Sequence, residues 1–250
     1  GVRGKHRINP VRGHARGTGG AHGNPGVAGI LAYLQGGRRQ AGDRLPSERE
    51  FAERLGVGRN AVREALATLV TLRVVESRPN SGIYLRDVAQ ESSFEALVML
   101  TGMGATPTAK EVAETMEVRA HLEQLAAALA CQRRTDADLT RLEEVLLRTE
   151  GDLSAGRNIA AIDTEFHIAV VDAAHNSILV RVLNAFYQFT AARRQVMFED
   201  EAQGKASARD HRRLLEHIRN RDAANAQKLI LKHMERARSY WGAVLGDKPA

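Results

Sequence analysis

The stretch from Asp43 to Leu72, DRLPSEREFAERLGVGRNAVREALATLVTL, admits few folds. Ser47 stands three residues before Glu50, so its hydroxyl can accept from a free amide of a first helical turn while the carboxylate reaches back. Pro46 prevents backward continuation of the helix, and Phe51, Ala52 and Leu55 give it an apolar face. A helix is therefore predicted to begin at Ser47. Gly56-Val57-Gly58 supplies the backbone freedom of a tight turn, and a second helix is predicted from near Arg59. Its apolar positions Val62, Ala65, Leu66 and Leu69 follow the spacing i, i+3, i+4, i+7, which leaves Arg59, Asn60, Arg63 and Ala67 outside the stripe.

The residues after this helix pair narrow the reading. Val74 to Glu76 and Ile83 to Leu85 read as two short strands around the turn Ser77-Arg78-Pro79-Asn80-Ser81-Gly82. With Ile30, Leu31, Tyr33 and Leu34 on an earlier helix, residues 25–86 read as a winged helix-turn-helix. An outer face of Arg59, Asn60 and Arg63 suits the DNA major groove, because a guanidinium can fork onto guanine or phosphate and a carboxamide onto adenine. The plain alternative, a solvated amphipathic helix, does not account for the hairpin.

These residues, AGDRLPSEREFAERLGVGRNAVREALATLVTLRVVESRPNSGIYL, resemble the DNA-binding domain of the GntR family of bacterial transcription regulators. The resemblance implies that Arg49, Arg59 and Arg63 contact operator DNA and that Gly82 approaches the minor groove. The chain departs from the family pattern at Gly58, where Ser or Thr is usual, at Asn60-Ala61, where Thr-Pro is frequent, and at Arg73, where Gly is typical. These departures leave the base preference open.

Charge is distributed accordingly. The first 88 residues hold 15 basic and 7 acidic side chains, net +8, and the remainder 21 and 23, net −2. The excess lies in the half that would neutralise phosphate. Residues 1–24, rich in Gly, Arg and His without hydrophobic periodicity, read as a disordered basic tail, and His6, His14 and His22 in it as solvated. A single cysteine, Cys131, cannot form an internal disulfide and reads as a small buried hydrophobe. With no apolar run of membrane-spanning length and no signal-peptide core, the expected place is the bacterial cytosol, at the nucleoid.

Residues 87–107 read as a linker with a short helix around Phe94, Leu97, Val98 and Leu100. From 108 to 246 the pattern is helical: about 108–133, 135–155, 158–174, 177–200, 206–220 and 222–245, with breaks at Thr135-Asp136, Gly151 to Asn158, His175 to Ser177 and Asn220 to Asp222. The predicted class is mainly α: a winged helix-turn-helix followed by an antiparallel all-α bundle of six or seven helices.

Four polar residues fall on stripes that should face the bundle core. Asp163 and His167 lie on the stripe of Ile159, Ile162, Phe166 and Val170; His211 heads Leu214, Leu215 and Ile218; and His233 sits among Ala226, Leu229, Ile230 and Ala237. A buried carboxylate needs compensation. Packing histidines and an Asp163–His167 ion pair would supply it, but three inward imidazoles with one carboxylate form a site for a divalent transition ion: zinc, with nickel or manganese as alternatives. His217, His121 and His175 fall off such stripes.

The segments EVRAHLEQLAA, DTEFHIAVVDAAHNSIL and DHRRLLEHIRNRDAANAQKLILKHM resemble the FCD ligand-binding domain of the FadR branch of the GntR family. The resemblance implies that Asp163, His167, His211 and His233 hold a divalent cation, and that Arg119 lines an effector pocket. On sequence alone Arg119 reads equally as a solvated flank residue. The implied activity is operator-controlled transcription by a homodimer on a palindromic site, repressed until a small organic carboxylate binds the ion. Two other readings stand beside it. A metalloenzyme fused to a DNA-binding module would need a general base, and the stripes bearing the four residues carry no further acid. A constitutive DNA-binding protein with a structural ion would answer to no metabolite.

Overall fold

The computed structural model describes residues 24–102 and 107–245. The expected basic tail therefore lies outside the described residues, apart from Asn24. That residue is not tail: its side chain caps α1 (Pro25–Gln35), accepting from the Gly26 amide at 2.8 Å. The chain divides into two compact units, 1–92 and 93–250.

In the first unit α2 (Glu48–Leu55) begins where Ser47 Oγ accepts from the Glu50 amide at 3.2 Å. The reciprocal bond from Glu50 does not form, and its side chain stays exposed, so one arm of the expected capping box suffices. Gly56 ends the helix at φ 64°, a left-handed cap that costs glycine nothing. Then α3 (Arg59–Thr71) starts on Gly58, which offers no side chain to the free amides. Its stripe of Val62, Ala65, Leu66 and Leu69 is buried, as are Ile30, Leu31 and Phe51 on the helices α1 and α2 that pack on it.

After α3 the backbone of Arg73 turns left-handed at φ 58°. That conformation costs a side-chain-bearing residue about 1–2 kcal/mol, against the roughly 0.5–1 kcal/mol by which glycine loosens the unfolded chain. Arg73→Gly is therefore expected to stabilise the protein by up to about 1 kcal/mol in urea unfolding, with the slope unchanged.

The wing pairs β1 (Val75–Arg78) with β2 (Gly82–Leu85), antiparallel, from Val75 opposite Leu85 to Arg78 opposite Gly82. Residues 43–45 add a third rung: Leu45 donates to the Ile83 carbonyl at 2.8 Å and Leu85 to the Asp43 carbonyl at 2.9 Å. The helix α4 (Val88–Glu91), which the sequence did not signal, closes the unit on an Asp87 cap.

The second unit is all helical: α5 (Phe94–Gly102), α6 (Ala109–Arg133), α7 (Asp136–Ser154), α8 (Ala160–Ala173), α9 (Ser177–Met197), α10 (Glu201–Arg219) and α11 (Ala223–Leu245). Complete capping boxes at Thr108–Glu111 and Thr135–Asp138 start α6 and α7. α10 begins five residues before the expected 206, because Asp200 accepts from the Ala202 amide at 2.9 Å and α9 has already ended at Met197. Leu142, Leu146, Phe166, Leu214 and Leu215 fill the core, and Cys131 is buried within it as expected. Around that core α6 packs on α8 and α11, and α10 on α7 and α11. No helix among the described residues is long and apolar enough to cross a membrane.

Candidate metal centre and nucleic-acid face

The aliphatic stripe of α8 carries Asp163 and His167 into the interior, where they are 2% and 4% exposed. α10 delivers His211, 1% exposed, and α11 delivers His233. The three imidazoles offer nitrogens that all lie within 4.8 Å of one another. The Asp163 carboxylate joins them, one oxygen 3.6 Å from His167 Nε2 and the other 3.6 Å from His211 Nε2. Histidines from three helices thus meet at one point, with the Asp163 carboxylate beside two of them.

Their neighbours decide which nitrogens face that point. His167 Nδ1 lies 2.9 Å from Glu123 Oε1, and His233 Nδ1 3.0 Å from Asp210 Oδ2. Each carboxylate is an acceptor only, so each Nδ1 carries a proton, and Nε2 is the ring nitrogen left to the cluster. Glu123 and Asp210 stay ionised. Burial raises both carboxyls, but Arg119 and His167 hold Glu123 well below the usual range, and His233 with Arg236 brings Asp210 to about 2.

His211 differs from the other two. Neither ring nitrogen has a hydrogen-bond partner among the described residues although both are buried, while Phe166 stacks on the ring at 4.1 Å and 14°. Burial holds this imidazole well below its usual range, so it is neutral. A buried imidazole with no partner is rare in a native core. Asp163 is ionised as well: burial pushes it up, but its surroundings, the Arg194 guanidinium among them, outweigh that and bring it to about 2, and Ser207 Oγ donates to it at 2.6 Å. Three imidazoles and one carboxylate, one imidazole without a hydrogen bond, fit a divalent transition ion.

A partly open cavity of about 550 Å³, solvent in its mouth included, reaches this cluster. Arg119, which the sequence left between pocket and solvated flank, is 3% exposed and lines it, with Nη2 3.6 Å from Glu123 Oε1. Arg193 and Arg194 of α9 line it too, and the sequence did not single them out. The sequence showed no further acid on the stripes bearing the four residues, but two acids from beside those stripes, Glu123 of α6 and Asp210 of α10, touch the histidines. Both are engaged, although Glu123 Oε2 is buried without a hydrogen bond among the described residues. Glu123 accepts from His167 and, at 2.7 Å, from the Tyr187 hydroxyl, and Asp210 from His233 and, at 2.6 Å, from Arg236.

In the first unit Arg59, Asn60 and Arg63 project outward from the start of α3, and Arg49 from α2. Arg49 is 77% exposed and pairs with Glu53 at 3.1 Å; Arg63 is 61% exposed, 3.3 Å from Glu48. Gly82 opens β2 at φ 137°, and a Cβ there would sit 3.0 Å from Arg44 Nε. Arg44 is thus a further cation beside the wing, placed by the rung of residues 43–45. Arg78 lies over the Tyr84 ring at 4.0 Å.

Comparison with known proteins matches a family model to each unit. Residues 27–85 match the bacterial regulatory proteins of the gntR family, and residues 114–236 match the FCD domain. The chain is 30% identical over 201 residues to the Uxu operon transcriptional regulator of Escherichia coli (strain K12), covering 78% of this chain and 76% of that one. It belongs to the GntR family. The HTH-type transcriptional regulator LutR of Bacillus subtilis (strain 168) is 29% identical over 209 residues, covering 80% of this chain and 92% of LutR. The solved structure described as "Lar controls the expression of the Listeria monocytogenes agr system and mediates virulence" has a TM-score of 0.60 at 19% identity, covering 87% of this chain and 96% of that one, and supports the fold. This GntR-family chain is a transcriptional regulator with an FCD domain. Asp163, His167, His211 and His233 all fall within the FCD match, and Arg49, Arg59, Asn60, Arg63 and Gly82 within the gntR match.

Proposed function

We propose that this GntR-family protein is a homodimeric repressor that leaves a palindromic operator when a small organic carboxylate binds in the FCD cavity at a divalent transition ion. His211 carries the reading. Its imidazole is buried, neutral and unpartnered, and faces two histidines already oriented by Glu123 and Asp210. Asp163, His167, His211 and His233 would hold the ion, which when bound supplies a Lewis-acidic point that a carboxylate and an adjacent hydroxyl can share.

The chain's own groups do the rest. Arg119 offers a guanidinium nitrogen, Nε, that has no partner, and a charge-assisted hydrogen bond from it would fix the acid's orientation. Glu123 ties Arg119, His167 and Tyr187 into one network, so binding at the arginine is felt at the imidazole. A ligand shifts operator affinity only by the difference in its affinity for the two states, typically about 5- to 150-fold. Two copies reading half-sites need two-fold symmetry, hence the dimer and the palindrome.

The test uses the full chain and a fluorescent duplex selected from a random pool. Titration with small hydroxy acids is expected to weaken binding by about 10- to 100-fold in anisotropy. The response should vanish on chelation and return with added zinc, nickel or manganese. A full response without metal would sink the role of the ion. Indifference to every acid would favour a constitutive regulator, and conversion of the acids would favour the enzyme.

A further inference from the structure

We propose that the acid bound in this cavity carries a second anionic group, held by Arg193 and Arg194, so that a diacid binds more tightly than the monoacid of the same skeleton. The proposal rests on the effector reading above and specifies its substrate class.

Charge in and around the cavity does not balance. Four guanidinium groups line it, those of Arg119, Arg193, Arg194 and Arg236, and three carboxylates answer them, those of Glu123, Asp163 and Asp210. Arg236 bonds Asp210 at 2.6 Å, Arg119 lies 3.6 Å from Glu123, and Arg194 reaches Thr164 and lies 3.9 Å from Asp163. Arg193 has no such partner among the described residues. Its guanidinium lies over the Phe189 ring at 4.6 Å, and both terminal nitrogens are buried without a hydrogen bond. Arg194, 6% exposed, also leaves Nε and Nη1 unpartnered.

Burial, and then the charge of Arg119, bring Arg193 to about 10, low for a guanidinium. The cluster is electrostatically incomplete by itself. A divalent ion would raise the surplus from one positive charge to three, and a monocarboxylate would leave two of those uncompensated. Buried charge is tolerated when paired and hydrogen-bonded. A second oxyanion, carboxylate or phosphate, would pair the fork that Arg193 leaves free. Bound water is the rival occupant, and it predicts no preference between mono- and diacids.

Calorimetric titration of the zinc-loaded full chain with matched pairs tests this: lactate against malate, gluconate against glucarate, glycolate against phosphoglycolate. The first two pairs read a second carboxylate and the third a phosphate. At least one diacid should bind about tenfold or more tightly than its partner. In R193Q that ratio should collapse towards one, while R193K, which keeps the charge without the fork, should retain part of it. Equal affinities within every pair, or a ratio undiminished in R193Q, would overturn the proposal and leave the metal-bound monoacid standing. If none of the six binds in a zinc-dependent way, the effector reading falls, and this inference with it.

Discussion

His211→Ala is expected to remove the bound divalent ion and to lower the melting temperature of metal-loaded protein by roughly 5–15 °C. The size comes from linkage. An ion present at 100 to 1,000 times its dissociation constant stabilises the folded state by about 2.7–4.1 kcal/mol. For a chain of this size each kcal/mol moves the midpoint by about 2–4 °C. His211 is the informative residue because neither of its nitrogens has a hydrogen-bond partner among the described residues, so on the proposed reading an ion would be what compensates its burial. The deciding comparison is with stripped protein. There the substitution costs the stacking on Phe166 and leaves a small void, but it also removes an unsatisfied imidazole, so the midpoint should move far less. Equal shifts with and without metal, or unchanged metal content by elemental analysis, would make His211 a packing residue. Glu123→Gln grades the effect. It keeps the volume but removes the charge that fixes the His167 tautomer, and the metal affinity should fall by about 10- to 100-fold.

The difference between what the sequence disclosed and what it concealed has a physical basis. On α8, α10 and α11 the polar residues sit among Ile, Leu, Val and Phe at helical spacing, so their direction could be read from their neighbours. On α6 that signal is missing. EQLAAALAC offers small apolar residues around the whole helix, and no stripe says whether Arg119 and Glu123 face in or out. Glu123 therefore carries no mark in the sequence, although it touches His167, Tyr187 and Arg119. Arg193 and Arg194 are adjacent, and adjacent helical residues point about 100° apart, so periodicity cannot send both to one cavity; their long stems do that. Arg44 is a different case. Only the backbone pairing of residues 43–45 with the wing, a long-range register, brings it beside Gly82.

Arg59→Ala and Arg63→Ala are each expected to weaken binding to the selected operator by about 10- to 100-fold, with the fold unchanged. Both side chains are exposed, so neither substitution disturbs the core, and circular dichroism should report native helix content. Arg63 is held 3.3 Å from Glu48, but an exposed ion pair of this kind contributes little, and exchange of Glu48 for a phosphate or a guanine edge costs the protein almost nothing. The manner of the loss is more telling than its size. An arginine that forks onto a guanine should, when removed, relax discrimination at one base position and leave binding to random duplex nearly unaltered. An arginine that meets phosphate should lower affinity for every sequence alike and reduce the slope of log affinity against log salt by about one. Arg59 opens α3 on Gly58, which supplies no side-chain cap, so the free amides and the guanidinium at this helix start can face the same phosphate; uniform loss is expected there. Arg63 lies one turn further along the helix, beside Asn60, where base edges are read, and relaxed discrimination is expected. Affinity unchanged in both variants would mean that another face of this unit, Arg44 and the wing first among them, meets the DNA.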